Sequence, residues 1–505
     1  MKYLLGIDFG GGSSKATLLS EAGEVVSTSA KEYPTHYPRN GWAEQDPDDS
    51  YLAFLHNVRA IVNSTGINPE DIEAIALDGA THTAVLLDEN DKLVRPAIYW
   101  TDKRSIEQSD FLAENHSKLI MEQSLNAPGP LWTLPQLMWL RENEGESFKK
   151  IKKVMFIKDY VRYRLTGDFV TDYIEAMGSM LMDARNNVWS EELCEIAGLD
   201  IDVLPRIVSP DSIVSPITET ACRETGLSQK TKVVAGATDT AMEVLASGAI
   251  KKGQATVKLA TAGRICSVTD KGIVSPLLVN YKHVVPGLWY PGAATKSCAA
   301  SYRWYRDVFC TAETADSKAL GKDGYETMNE AAAKVPAGSD NLFFHPYLQG
   351  EITPYLDNNL RASFIGISSF HTKAHFTRAV MEGVAYSLLD SLRATKELGI
   401  KMDSAVIIGG GAKGKLWRQI VADVLNIPLR KNVVDDSSLG SAMFAGVATG
   451  VFSSFKDCVG KCVRKESDVY PNPDNREVYE KGFEMYKMIQ AAMAPVYKEI
   501  SYLET

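Results

Sequence analysis

The residues best suited to chemistry stand at the ends of short apolar runs. Tyr3-Leu4-Leu5-Gly6-Ile7-Asp8 closes on a carboxylate and passes directly into Phe9-Gly10-Gly11-Gly12-Ser13-Ser14-Lys15. Glycine amides in a tight turn can converge into an anion-binding nest, the hydroxyls and the lysine add donors, and a carboxylate beside them can hold a hydrated Mg²⁺. A plain hairpin turn has the same composition. The run fits neither GxGxxG, because its glycines are adjacent and a strand follows, nor GxxxxGK[ST], so neither a Rossmann nor a P-loop site is indicated. A second glycine turn, Gly409-Gly410-Gly411-Ala412, follows the buried-strand run Ala405-Val406-Ile407-Ile408 and reads as opening a helix. It is either a close strand–helix junction or a nucleotide cradle at a helix N-terminus.

Asp239 ends Lys232-Val233-Val234-Ala235-Gly236-Ala237-Thr238-Asp239 and precedes a helical run. A carboxylate at a strand end can take the proton of a sugar hydroxyl as that oxygen attacks a γ-phosphoryl group. It can equally be a helix N-cap. His82, after Ala80-Thr81, reads as a loop residue outside any apolar face, and Trp100-Thr101-Asp102-Lys103-Arg104 as either a solvated helix start or a ligand-facing segment ordered by an ion pair. Two glycine turns with acidic partners, one in each half, predict a nucleotide held between domains.

The elements that must position these residues follow from periodicity. Residues 3–26 read as strand, glycine turn, strand, turn, strand, and the meander begins again at Ala255-Thr256-Val257-Lys258-Leu259, with Ala260-Thr261-Ala262-Gly263 as its turn. That echo predicts two related α/β halves, residues 1–248 and 249–505, each with its own glycine turn. Between 103 and 170 the pattern is mainly helical. Phe376 to Leu392 is a strong helix whose Gly383 permits close packing, and a polar stretch at 466–476 precedes a helical tail.

Composition narrows the partners. Among 505 residues, 54 Lys+Arg against 64 Asp+Glu give a formal net charge of −10, which offers no general attraction to nucleic acid or anionic membranes. No segment approaches the ~20 apolar residues of a membrane span. The first residues reach Asp8 without an apolar stretch of signal-peptide length, and seven scattered cysteines suit reduced thiols, so the cytoplasm is the expected compartment. Cys458 and Cys462 share helical spacing but have no companion pair for zinc.

The ordered set of motifs resembles the FGGY carbohydrate kinases, of the actin-like and hexokinase-like ATPase clan, and within them the xylulokinases. It runs from Gly6-Ile7-Asp8 through Gly41-Trp42-Ala43-Glu44-Gln45-Asp46-Pro47, the His82 loop, Arg95 to Arg104, and Gly236-Ala237-Thr238-Asp239. It continues with Pro346-Tyr347-Leu348-Gln349-Gly350-Glu351, Glu382-Gly383-Val384-Ala385-Tyr386, Gly409 to Lys413 with Leu416-Trp417-Arg418-Gln419, and Leu439-Gly440-Ser441-Ala442.

The resemblance implies two ribonuclease-H-like domains around a cleft and ATP-dependent phosphorylation of a sugar, with D-xylulose as the expected acceptor and D-xylulose 5-phosphate as product. Gluconate, ribulose and polyols are alternatives, as is a sugar-binding regulator that no longer transfers phosphate. It further implies Asp239 as proton acceptor, Asp8 on Mg²⁺-ATP, and Thr81 with His82 in the sugar pocket. Gly10, Gly11, Gly12, Ser13, Ser14 and Thr261 would face phosphate, and Gly410, Gly411 and Lys415 would border the nucleotide. Homodimers are common among such kinases. Gly11, Ala260 and Ala262 depart from the family pattern in the phosphate turns, Ile352 where Arg often follows Gly350-Glu351, and Thr81 and Thr101 where the sugar is read.

Overall fold

The structure is a computed structural model that describes residues 1–319, 321 and 323–503. Tyr3–Phe9, Ser13–Ser20 and Val25–Glu32 form the expected antiparallel meander. Ile72–Gly79 and then Lys232–Val234 add in parallel beside Tyr3–Phe9, completing a five-stranded sheet. The echo in the second half is real. Ala255–Leu259, Gly263–Ser267 and Gly292–Thr295 make a second meander, Ala405–Ile408 and Leu429–Asn432 add in parallel, and Lys465–Val469 closes the far edge of a six-stranded sheet. The α/β architecture with one such sheet in each half is the fold the sequence implied.

Helices cover both sheets. Pro47–Thr65 lies on one face of the first, where Leu5, Ile7, Phe9, Phe54, Val58 and Leu77 form a buried core. The other face carries Asp239–Ser247 together with Ser437–Ala448, a helix from the second half of the chain, and their packing buries Leu4, Ala74, Met242, Leu245, Met443 and Phe444. The contact is backbone-close. A Cβ on Gly6 would meet the Ser438 carbonyl oxygen at 2.0 Å, and one on Gly440 the Met242 oxygen at 2.0 Å. The second sheet packs on Lys373–Glu397 and Lys415–Leu425. Gly383 has the packing role expected of it, since its Cβ would lie 2.1 Å from the Phe344 oxygen.

Two local readings are corrected. Gly409 to Ala412 does not open a helix: the chain makes a short 3₁₀ turn, Gly410–Lys413, and the helix begins at Lys415. Adjacent glycines are poor helix formers, and Gly409 adopts φ +89° to pass Leu259. Asp239 is not the N-cap, because Thr238 holds that position and its Oγ1 accepts from the Ala241 amide at 3.4 Å. Ala84–Leu87 leaves the main sheet and pairs with Lys153–Phe156 beside the helical segment, whose core includes Trp132, Leu134, Leu137 and Leu140. Pro135 is tolerated in the first turn of Thr133–Asn143, where no helical N–H bond is lost. Among the described residues no helix is long and apolar enough to cross a membrane, and all seven cysteines are free.

Candidate active site

Parallel register puts Asp8 directly beside Asp78. Both carboxylates therefore point to the face that carries the Ser437–Ala448 helix, where Ser441 Oγ donates to Asp78 Oδ2 at 2.5 Å. Asp78 is fully buried, Asp8 is only 9% exposed, and the Oδ1 of each has no hydrogen-bond partner. Burial holds both carboxyls above the usual carboxylate range. For Asp8 the charge of Asp239 adds to this and carries it to about 7, against the opposing hydrogen bond from Asp78 and the charge of Lys15. Sequence reasoning missed Asp78. The available signal was a carboxylate ending an otherwise apolar strand.

The first glycine turn lies at the open end of the same strands. Tyr33 donates to the Gly10 carbonyl at 2.5 Å, and Thr35 Oγ1 and Gln45 Nε2 donate to that of Gly11 at 2.8 and 2.9 Å, which fixes the turn with Gly11 and Gly12 exposed. Alternation separates its two serines: Ser13 is partly exposed, whereas Ser14 pairs with Phe9 and buries its side chain on the face opposite Asp8. Asp239, the first residue of its helix, is half-buried, and its Oδ1 accepts from the Thr240 amide at 2.5 Å.

On the second sheet, Thr261 is exposed at a turn whose Ala260 and Thr261 carbonyls accept from Ala299 and Cys298 at 2.8 and 2.9 Å. Strand pairing sets the Gly409–Gly411 turn beside it, so close that a Cβ on Gly409 would lie 2.7 Å from the Leu259 oxygen. Gly410 is open, and Lys415 is exposed at the start of the next helix. The two halves are tied across this region by the Lys258–Glu243 ion pair at 2.7 Å, and Arg264 Nη1 lies 3.4 Å from Thr240 Oγ1.

His82 lies in a loop, as expected, but not in a solvent-facing one. It is 3% exposed, adopts φ +73°, donates from Nδ1 to the Gly178 carbonyl at 2.5 Å and accepts at Nε2 from Tyr281 at 3.1 Å, with Trp132 edge-on at 4.5 Å. These partners define one neutral tautomer, and burial pushes its pKa down to about 3. Thr81, also buried, packs against Gly178. The Trp100–Arg104 segment is no solvated helix start either: Arg104 is buried between Trp42 and Trp139 and paired with Asp102 at 2.8 Å, which in turn accepts from the Ala43 amide.

Between them the two halves thus supply three carboxylates, two glycine turns and an oriented histidine. The pattern of the FGGY family of carbohydrate kinases matches this chain in two parts, the N-terminal domain over residues 3–246 and the C-terminal domain over 261–449. The chain belongs to the FGGY family of carbohydrate kinases. It is 31% identical over 496 residues to the xylulose kinase of Bacillus subtilis, covering 97% of each chain, and 32% identical over 478 residues to the gluconokinase of the same organism, covering 92% of this chain and 91% of that one. Its structure superposes on ligand-bound xylulose kinase from Lactobacillus acidophilus with a TM-score of 0.91 at 26% identity, covering 99% of this chain and 100% of the other.

One departure of this FGGY kinase has a steric cause. A Cβ at Gly11 would lie 2.4 Å from the Tyr99 hydroxyl, so the phenol fills the space a longer residue would need. Nothing in the structure explains Ile352, whose backbone amide donates to Glu351 Oε1 at 2.8 Å; Glu351 also receives the Lys296 amide and Ser387 Oγ.

Proposed function

We propose that this FGGY kinase transfers the γ-phosphoryl group of ATP to a hydroxyl of an open-chain sugar, with Asp239 as the general base. The observation that carries the reading is that Asp239 stands at the start of its helix, near enough for its charge to act on Asp8. The residues fit the phosphates: exposed Gly11 and Gly12, the open Gly410 and the Thr261 turn present backbone without side chains in the way. They also fit Mg²⁺, which needs only one or two carboxylates beside phosphate oxygens and water, and the unpartnered Oδ1 atoms of Asp8 and Asp78 are suited to it. When bound, the ion neutralises phosphate charge.

The chain's own groups supply the rest. Asp239 accepts the hydroxyl proton as the oxygen attacks, His82 uses both ring nitrogens to fix the Gly178 carbonyl and the Tyr281 hydroxyl that line the acceptor pocket, and closure of the cleft excludes competing water. Phosphoryl transfer asks chiefly for positioning and charge balance, and this arrangement offers both. D-xylulose, giving D-xylulose 5-phosphate, is the acceptor supported by the xylulose kinase relatives; an aldonate is supported by the gluconokinase relative.

An ADP-release assay over ketopentoses, aldonates and polyols tests the activity. Asp239→Asn is expected to fold and bind nucleotide while losing on the order of 10²–10⁴ in kcat. Turnover within a few-fold of the parent would remove Asp239 from the role of base.

A further inference from the structure

Lys158, Asp159, Arg162, Asp172 and Glu175 are ionisable side chains buried behind the His82 loop. Lys158 Nζ lies 2.5 Å from Asp159 Oδ1 and 2.7 Å from Asp172 Oδ2, and Arg162 Nη1 lies 2.8 Å from Asp159 Oδ1. The cluster touches the acceptor pocket from two sides. Arg162 also donates to the Ala235 carbonyl, on the segment that leads to Asp239, and Asp172 Oδ1 caps the Tyr173–Gly178 helix by accepting from the Ile174 and Glu175 amides at 2.8 and 3.1 Å. That helix ends in the Gly178 carbonyl to which His82 donates. The charge of Asp239 in turn reaches Tyr281, the other partner of His82.

Glu175 is the odd member. The other four make two cations against two anions, the bonds of Lys158 go to Asp159 and Asp172, and Glu175 makes no ion pair of its own among the described residues. The charge of Lys158 does act on Glu175, but burial, with the charges of Asp159 and Asp172, works the other way and holds the carboxyl well above the usual carboxylate range. A carboxyl kept neutral by burial becomes a hydrogen-bond donor. The hydroxyl near enough to act on it is that of Thr81. Thr81 is 6% exposed and Glu175 1%, and Thr81 Oγ1 and Glu175 Oε1 each stand without a hydrogen-bond partner. Gly178 makes the room for this approach, since a Cβ there would lie 2.2 Å from Thr81 Oγ1 and 3.2 Å from His82 Nδ1.

Buried polar atoms without partners are costly, and a ligand that completes the set recovers that cost on binding. We infer that Glu175 is a positioning residue of the sugar site: its carboxylic O–H donates to Thr81 Oγ1, and the Thr81 O–H, so directed, donates to an oxygen of the sugar. This rests on the sugar-kinase reading above and adds a residue to the acceptor side of that site.

Thr81→Val, Glu175→Met, the double variant and Glu175→Gln test it against the parent. Each is measured by calorimetric binding of D-xylulose and of D-gluconate without nucleotide, and by ADP release resolved into KM and kcat. Thr81→Val and Glu175→Met should each weaken sugar binding and raise KM about 10-fold while changing kcat less than about threefold, as loss of one buried hydrogen bond made equally in ground and transition states requires. The double variant should lose little beyond either single one, because both groups act through the same bond. Glu175→Gln, whose amide still donates, should restore most of the loss. Affinity for a non-hydrolysable ATP analogue is expected to hold throughout. If the methionine variant does not fold, infrared spectroscopy carries the test: a carbonyl band of a protonated carboxyl should be present in the parent, lost in Glu175→Gln and shifted in Thr81→Val.

Losses that multiply in the double variant, a glutamine variant as impaired as the methionine one, or absence of that band overturns the assignment. Nucleotide affinity falling along with sugar affinity does so too, and would leave Glu175 a folding residue. Sugar binding that depends on Thr81 and Glu175 as expected, with no turnover of any acceptor, would leave the assignment standing and sink the kinase reading. Turnover indifferent to both substitutions would do the reverse.

Discussion

Asp8 and Asp78 set a problem of charge at the scale of single residues. Two buried carboxyls side by side cannot both ionise cheaply, and each is held up by burial. The sign is definite: a carboxyl whose folded pKa exceeds its unfolded value of 3.8 stabilises the fold fully below that value and loses the contribution as pH rises toward about 7. Asp78→Asn removes one of the two titrations. The ligand-free variant is therefore expected to gain thermal stability over the parent as pH goes from 5 to about 8, by a margin that widens with pH. Losing one carboxylate should also raise several-fold the Mg²⁺ concentration for half-maximal ADP release. A melting difference independent of pH, together with an unchanged Mg²⁺ requirement, would leave Asp78 a packing residue. Asp8 and Asp239 were legible in sequence because each ends an apolar run; Asp78 ends one too, but only strand register showed what it stands beside.

Elements carry the next level of precision. The helix that starts at Asp239 is held by close backbone packing against Ser437–Ala448, with Gly440 against the Met242 carbonyl and Gly6 against that of Ser438. Gly440→Ala adds a methyl carbon 2.0 Å from a backbone oxygen, which no side-chain rotation relieves. The helices must part, at an expected cost of about 2–4 kcal/mol, and kcat should fall because Asp239 moves with its helix. Chemical denaturation and ADP release check the two effects. Stability and turnover both near those of the parent would show that the packing has slack. The sequence carried the strands, the meanders and the Gly383 contact in its periodicities, because those signals are local. It misplaced the start of the 415–425 helix, since three consecutive glycines resemble a helix-opening cradle until the φ of Gly409 is known.

The whole molecule presents two sheets, each with its own glycine turn, tied through the Asp239–Ser247 and Ser437–Ala448 helices. Ligands that engage both turns should draw the halves together. Small-angle scattering is expected to show a smaller radius of gyration with a non-hydrolysable ATP analogue plus acceptor than with either alone, in the parent and in Asp239→Asn alike, since removing the base leaves the binding surfaces in place. An unchanged radius would mean that the cleft is already closed.

By itself the sequence determined the reaction class and the fold. The ordered motifs that carry the family resemblance are written in consecutive residues, and the net charge of −10 argues against polyanionic partners while posing no barrier to a nucleotide whose charge would be met locally. Tertiary structure alone decided the neighbours: Asp78 beside Asp8 and bonded to Ser441, 363 residues away, Tyr99 in the space above Gly11, and Arg264 between Asp239 and the His82–Tyr281 pair. Those relations depend on strand register and helix packing between distant segments, where a one-residue slip would turn every side chain to the other face.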